Sequence, residues 1–277
     1  MLISPTIVYY IIFWARPVVT AFIYSFLDAS NKFTFHNYQV IFKDPNFKSA
    51  LINTSIFVLI SVTIEFLISL GLALVINKKF KGANILLSIA LIPMALPAVA
   101  VGAIWTSGFS TYGWVNSLLY RLGLISANGK IAFLAGNDFQ SLMLIILIDA
   151  WQVIPFMMII LLAGLQTLSK DAVEAGYIFG GTKFTVLRKI TLPMLKPSIQ
   201  TAIILRMISA IQVWLIIVMI YGFRRIPVLL EEVIFYQKEL RGYYSVALAY
   251  SVIVAVIVSI VSIIYLKVSG AFKGEEA

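Results

Sequence analysis

Apolar residues come in runs long enough to cross a bilayer, and the segments between them are polar and rich in lysine and arginine. A membrane helix needs about 20 apolar residues at about 1.5 Å each. Six stretches qualify: Leu2 to Leu27, Ile52 to Ile76, Ile85 to Ser107, Leu142 to Leu162, Pro197 to Tyr221 and Tyr244 to Leu266. The pattern predicts an all-α integral membrane protein, one transmembrane domain over residues 1–277 with six spans. Pro17, Pro93, Pro97 and Pro155 interrupt three of the runs, which membrane helices tolerate where neighbouring groups satisfy the freed carbonyls. Pro93 and Pro97 together predict a bend in the third span. The first run is too long for a signal peptide and lacks both a basic leader and a small-residue cleavage site, so it reads as a helix.

Composition narrows the chemistry. Hydrophobic residues make up 61% of the chain and charged residues only 12%, against about 45–50% and about 25% in soluble domains. The net charge of +9 is no nucleic-acid footprint, because so few of these residues share a water-exposed surface. With no cysteine and the single histidine His36, thiolate metal sites, cysteine nucleophiles and histidine acid–base chemistry are excluded, and no metal site is expected.

Orientation follows from basic residues in the loops. With the N-terminus inside, segments 77–82, 163–197 and 267–277 are cytoplasmic and carry ten lysines and arginines. Segments 28–51, 108–141 and 222–243 carry nine over a longer stretch, so density places both termini in the cytoplasm.

The loop of about residues 167–196, between the fourth and fifth spans, is too polar to cross and too patterned to be a linker. Ser169 is an N-cap candidate, Asp171 and Glu174 sit in the first turns where acids favour the helix dipole, and Gly180 with Gly181 end the helix. Phe184, Leu187 and Ile190 then form an apolar stripe beside Lys183, Arg188 and Lys189, predicting a second short helix along the membrane. Gly181-Thr182-Lys183 is not a phosphate loop, which requires Gly-Lys followed by Ser or Thr.

At these residues the chain resembles the membrane subunits of binding-protein-dependent ABC importers. Their cytoplasmic loop reads Glu-Ala-Ala, three residues, Gly, nine residues, Ile-x-Leu-Pro. Glu174, Ala175 and Gly176 take the first three places, Gly180 the next, and Ile190, Leu192 and Pro193 the last. Gly176 replaces the second alanine, and Phe179 stands where sugar-importer members usually carry Asp. The resemblance is closest to the maltose-type carbohydrate branch: Phe35-His36-Asn37-Tyr38, Asp44-Pro45-Asn46-Phe47, Leu91-Ile92-Pro93 and Trp151 with Pro155-Phe156 look like its segments. Gln212-Val213-Trp214-Leu215 and Tyr221-Gly222-Phe223-Arg224 depart from its usual Asp and Gly-Gly-Pro.

The resemblance implies a permease of the prokaryotic inner membrane, working with a second homologous permease, two ATP-binding cassette subunits and an extracytoplasmic solute-binding protein. ATP and Mg would be bound by the partner ATPases, with no cofactor on this chain. Glu174, Ala175, Gly176, Gly180, Ile190, Leu192 and Pro193 would form the ATPase-coupling element, and the solute would be a sugar or oligosaccharide. A glycerol phosphodiester or other small polar solute is the alternative within the class, and an ion-coupled secondary transporter the alternative outside it.

Sugars are held by aromatic stacking and amide hydrogen bonds, which makes Trp151, Gln152, Gln212 and Trp214 the substrate-pathway candidates; interfacial anchoring and helix–helix bonding are the competing roles. Arg16, Glu65, Asp149 and Arg206 are charges inside spans, costly unless paired or functional. Helical rise puts Arg16 at about 21 Å and Asp149 at about 20 Å from the cytoplasmic face, with Arg206 at about 14 Å and Glu65 at about 11 Å. Matched depths predict the pairs Arg16–Asp149 and Arg206–Glu65, as neutralising contacts or as part of a gate.

Overall fold

The computed structural model describes residues 4–126, 128–238, 240 and 242–270. The predicted start of the first span at Leu2 and the basic residues Arg241 and Lys273 lie outside these. Helices dominate. They are α1 (Ser4–Ser25), α2 (His36–Lys43), α3 (Pro45–Asn77), α4 (Ala83–Leu91), α5 (Ala98–Phe109), α6 (Trp114–Arg121) and α7 (Asp138–Thr167). After these come α8 (Lys170–Ile178), α9 (Lys183–Met194), α10 (Lys196–Ile211), α11 (Leu215–Tyr221), α12 (Leu229–Lys238) and α13 (Tyr244–Ser269).

Four of the predicted spans are single helical runs, α1, α3, α7 and α13, each long and apolar enough to cross. α3 has 33 residues, about 50 Å of helix, and so outruns a hydrocarbon core of about 30 Å. The third span is bent by 96° between α4 and α5. Pro93 begins a 3₁₀ turn over Pro93–Ala95 and Pro97 precedes α5, so two missing N–H groups break the ladder where the prolines predicted. The fifth span is not one helix: α10 ends at Ile211 and α11 starts at Leu215, with Gln212 and Val213 non-helical and Trp214 at φ −160°. Pro17 and Pro193 are absorbed by local widening of the helix, while Pro155 sits within continuous α-helix. π turns over Ile11–Ala15 and Leu187–Thr191 immediately precede Arg16-Pro17 and Leu192-Pro193, where a proline ring would otherwise meet the carbonyl four residues back.

The chain divides into two compact units, residues 1–56 with 211–260 and residues 57–210 with 261–277. In the second, Met157, Met158, Leu161 and Leu165 of α7 pack with Ala73 and Ile76 of α3 and with Leu195 and Ala202. α7 begins on a capping box: Gln140 N–H donates to Asn137 Oδ1 at 2.9 Å, and Asn137 N–H to Gln140 Oε1 at 3.1 Å. In the first unit, Asn37 is buried and donates to the carbonyls of Ser25 and Leu27, fixing the turn after α1. α1 itself buries almost nothing in this chain.

Candidate functional site

α8 and α9 fold against each other. Ser169 holds the N-cap position of α8 with extended backbone, but its hydroxyl makes no capping bond, so the predicted cap is one of position only. Thr182 supplies the capping hydroxyl for α9, accepting from Thr185 N–H at 3.2 Å. The C-terminus of α8 is a Schellman motif: Gly181 N–H donates to the Gly176 carbonyl, Gly180 N–H to the Tyr177 carbonyl, both at 3.0 Å, and Gly180 has φ +80°. Left-handed backbone at that position is what glycine supplies without penalty.

Gly176 answers a different need. A Cβ there would stand 2.4 Å from Ile190 Cδ1 and 3.2 Å from Val186 Cγ2, so α9 rests on the bare backbone of α8. The fixed spacing between the glycines and Ile-x-Leu-Pro is therefore an internal packing constraint. Glu174 is exposed, Ala175, Ile190 and Leu192 are half-buried, and Pro193 is exposed. A pocket of about 340 Å3 opens between the two helices, lined by Ala172, Ala175, Gly176, Phe179, Val186 and Lys189. Ile178, Phe179 and Phe184 stand out beside it, Phe179 being 90% exposed. On the membrane side the segment is anchored firmly: Leu195 is fully buried, and the missing side chain of Gly164 lets Ser198 and Leu195 press onto α7.

Three of the four intramembrane charges come together in the second unit. Arg206 on α10 bonds through Nε to Glu65 Oε2, through Nη2 to Glu65 Oε1 at 2.9 Å, and through Nη2 to Asp149 Oδ2. Glu65, Asp149 and Arg206 are 0%, 7% and 3% exposed. The Arg206–Glu65 pair is as predicted. Arg16–Asp149 is not: Asp149 is held by Arg206, and Arg16 lies exposed on α1. Depth gives one coordinate, whereas the angular position of a residue around its helix decides what it faces. Ser61, Glu65 and Ser69 recur every four residues on α3 and are all fully buried, with the Ser69 hydroxyl bonded to the Ile154 carbonyl beside Pro155. That polar stripe was the sequence signal for the inward face.

Of the substrate-pathway candidates, Gln152 is half-buried and donates its amide to the Leu96 carbonyl at 2.8 Å, satisfying a group that the bend at Pro97 frees. Trp151 is exposed and meets Trp105 edge to face at 5.5 Å, and Trp105 continues to Phe109 and Trp114. Gln212 and Trp214 stand in the break between α10 and α11, Gln212 exposed and Trp214 half-buried.

Sequence reasoning passed over a charge cluster in the first unit, outside the spans. Arg224 Nη2 bonds Asp44 Oδ2 and Glu232 Oε2, each at 2.7 Å, and Tyr236 donates to Asp44 Oδ2 at 2.6 Å. Glu231 Oε1 accepts the Arg224 N–H at 2.5 Å. The signal was Glu231-Glu232 set among apolar residues in IPVLLEEVIF, a pattern for a buried helix. Among the described residues, no three His, Cys, Asp or Glu side chains converge as metal ligands.

Residues 65–272 match the family described as binding-protein-dependent transport system inner membrane component. The chain belongs to that family. This permease is 31% identical over 284 residues to the trehalose/maltose transport system permease protein MalF of Thermococcus litoralis, covering 99% of this chain and 93% of the relative. It is 39% identical over 190 residues to the sulfoquinovosyl glycerol transport system permease protein SmoG of Agrobacterium fabrum, covering 68% of this chain and 60% of the relative. In fold it resembles a subunit of a bacterial alginate ABC transporter solved with an alginate pentasaccharide-bound periplasmic protein. The TM-score is 0.85 and the identity 20%, over 99% of this chain and 94% of that one. The permease is thus an all-α inner-membrane component of a binding-protein-dependent transport system.

Proposed function

We propose that this permease is one of two membrane subunits of an ATP-driven importer that passes a sugar or oligosaccharide from an external solute-binding protein to the cytoplasm. Two ATPase subunits would bind ATP and Mg, and both termini of this chain would be cytoplasmic. The carrying observation is the α8–α9 element, a rigid helix pair with an apolar pocket and exposed Ile178, Phe179 and Phe184, rooted through Leu195 and Gly164 in the span core. Such an element fits a groove on a moving partner and transmits rotation to α7 and α10, because packed helices shift as bodies and do not deform continuously. An ion-coupled transporter would give this element no purpose.

Glu174, Ala175, Gly176, Gly180, Ile190, Leu192 and Pro193 are then coupling residues of two kinds. Glu174 and the pocket rim meet the ATPase, while Gly176, Gly180 and Ile190 hold the pair in shape. Support for a saccharide comes from the trehalose/maltose relative together with Trp151 and the tryptophans near it, flat apolar faces suited to sugar rings. Gln212 and Trp214, at a break in helical backbone, offer the exposed amide and half-buried aromatic ring that a transient solute site needs. A small polar glycoside is the second reading, favoured by the identity to the sulfoquinovosyl glycerol relative.

The test is reconstitution of the permease with its partner subunits in proteoliposomes, the solute having first been identified by calorimetry on the binding protein. ATP-dependent uptake is expected, lost on Glu174→Lys together with co-purification of the ATPase. Uptake by this chain alone, driven by an ion gradient, would overturn the proposal.

A further inference from the structure

In the cluster of Asp44, Arg224, Glu231 and Glu232, two carboxylates share the Arg224 guanidinium and the third takes its backbone N–H. Each is tied differently. Asp44 is saturated: Oδ1 accepts the Asn46 N–H at 2.9 Å, and Oδ2 accepts from Arg224 and Tyr236. Both oxygens of Glu231 go to backbone, accepting from Arg224 N–H and, at 3.3 Å, from Val228 N–H, which fastens the 222–228 loop to α12. Glu232 is the odd one. Its Oε2 takes Arg224 Nη2, while Oε1 is fully buried without a partner, as is the Tyr250 hydroxyl. Arg224 makes these bonds from a left-handed backbone, φ +62°, with its guanidinium 3.9 Å over the Phe235 ring and 5.4 Å from that of Tyr236. For a non-glycine residue that conformation persists only while its surroundings hold it.

We propose that the cluster binds one proton, carried on Glu232 Oε1, and that this proton seats the 222–228 loop on Asp44 and α12. With the proton bound, Asp44 and Glu231 keep their hydrogen bonds, Arg224 faces one fewer anion, and Glu232 stays buried as a neutral acid. When the O–H bond breaks and the proton passes to water, Glu232 becomes a buried carboxylate with one oxygen unsolvated. Hydrating it requires Arg224 and its loop to lift. The charged and titratable groups that act with Glu232 are Arg224 from the loop, Asp44 from the α2–α3 junction, Glu231 on its own helix and Tyr250 on α13, with Tyr236 bonded to Asp44. Burial pushes the Glu232 carboxyl up to about 7, against the hydrogen bond and charge of Arg224, with Glu231 and Asp44 adding to the rise. A value there is crossed by ordinary changes of external pH. The inference rests on the transport reading only in taking the proton from outside the cell.

The experiment uses the complete permease, assembled with its partners in lipid nanodiscs. Infrared difference spectra across about pH 5 to 9 follow the carbonyl stretch of a protonated carboxylic acid, and hydrogen exchange, corrected for its intrinsic pH dependence, follows the Arg224 and Val228 amides. In the wild type an acid band should disappear near neutral pH, and protection of both amides should fall at least tenfold over the same range. Glu232→Gln, which keeps the shape of the neutral acid, should lack that band and hold its protection throughout. Absence of any band titrating near neutral pH in the wild type overturns the proposal without recourse to a variant. So does a band that persists in Glu232→Gln, or protection that falls equally in both proteins. None of these outcomes depends on whether a sugar is transported.

Discussion

Gly176→Ala places a methyl group 2.4 Å from Ile190 Cδ1 and 3.2 Å from Val186 Cγ2. The first distance requires movement, and overpacking of this kind costs about 1–3 kcal/mol. Against it, alanine is favoured over glycine inside a helix by about 1 kcal/mol. The net expectation is a loss of about 0–2 kcal/mol in the docking of α9 on α8. Ile190→Val deletes the clashing Cδ1 and alone costs about 0.5–1.5 kcal/mol. In the double variant the clash is gone and the propensity gain remains, so the two changes should couple favourably by about 1–3 kcal/mol. Hydrogen exchange of the α8 amides in the assembled importer reads the docking, and solute-stimulated ATP hydrolysis reads its consequence. Gly180→Ala is the control: a Cβ at Gly180 meets nothing within 4 Å among the described residues. Its cost, about 1–2 kcal/mol, comes from left-handed backbone alone and should not be rescued by Ile190→Val. Additivity within about 0.5 kcal/mol for Gly176→Ala and Ile190→Val would refute the internal-packing account of the motif.

Arg206→Met should destabilise the permease by about 3–5 kcal/mol by stranding Glu65 and Asp149, and adding Glu65→Gln with Asp149→Asn should recover part of it; thermal unfolding in detergent measures both, and no recovery in the triple variant counts against a neutralising triad. Glu232 titrates from 4.5 when unfolded to about 7 when folded, so the native state holds the proton more tightly. Stability is therefore unaffected below about pH 4.5, falls as pH rises to about 7, and stays low above it, a penalty of about 3 kcal/mol that Glu232→Gln should abolish in a pH series of melting temperatures. Cysteines at the exposed positions Lys32, Asn128 and Lys238 should react with an impermeant thiol reagent outside intact cells and one at Lys183 should not, whereas the reverse pattern would invert the orientation. Asn37 is unsuitable as an outer marker, because it is buried under the turn it bonds.

Much of the permease could be read before its folding, and the reason is the solvent. A bilayer demands long apolar helices with internally satisfied backbones, so α1, α3, α7 and α13 appear in hydropathy alone, and the bend between α4 and α5 appears in Pro93 and Pro97. The α8–α9 element was legible too, since a positive-φ glycine and a cap leave local marks that need no distant partner. Whatever depends on the angle around a helix or on a distant residue was not. Depth matched Asp149 with Arg16, but the face of α7 turned it to Arg206. Gln152 could be read either as a pathway residue or as a bond between helices, and only the folded chain shows its amide on the Leu96 carbonyl, 56 residues away. Asp44 and Arg224, 180 residues apart, share a hydrogen bond that no local pattern announces. Periodicity and caps are properties of neighbouring residues, so sequence alone determined the long helices and the glycine-stopped turn between α8 and α9. Pairing across the chain depends on how helices rotate and pack, and only the tertiary structure decided which charges meet.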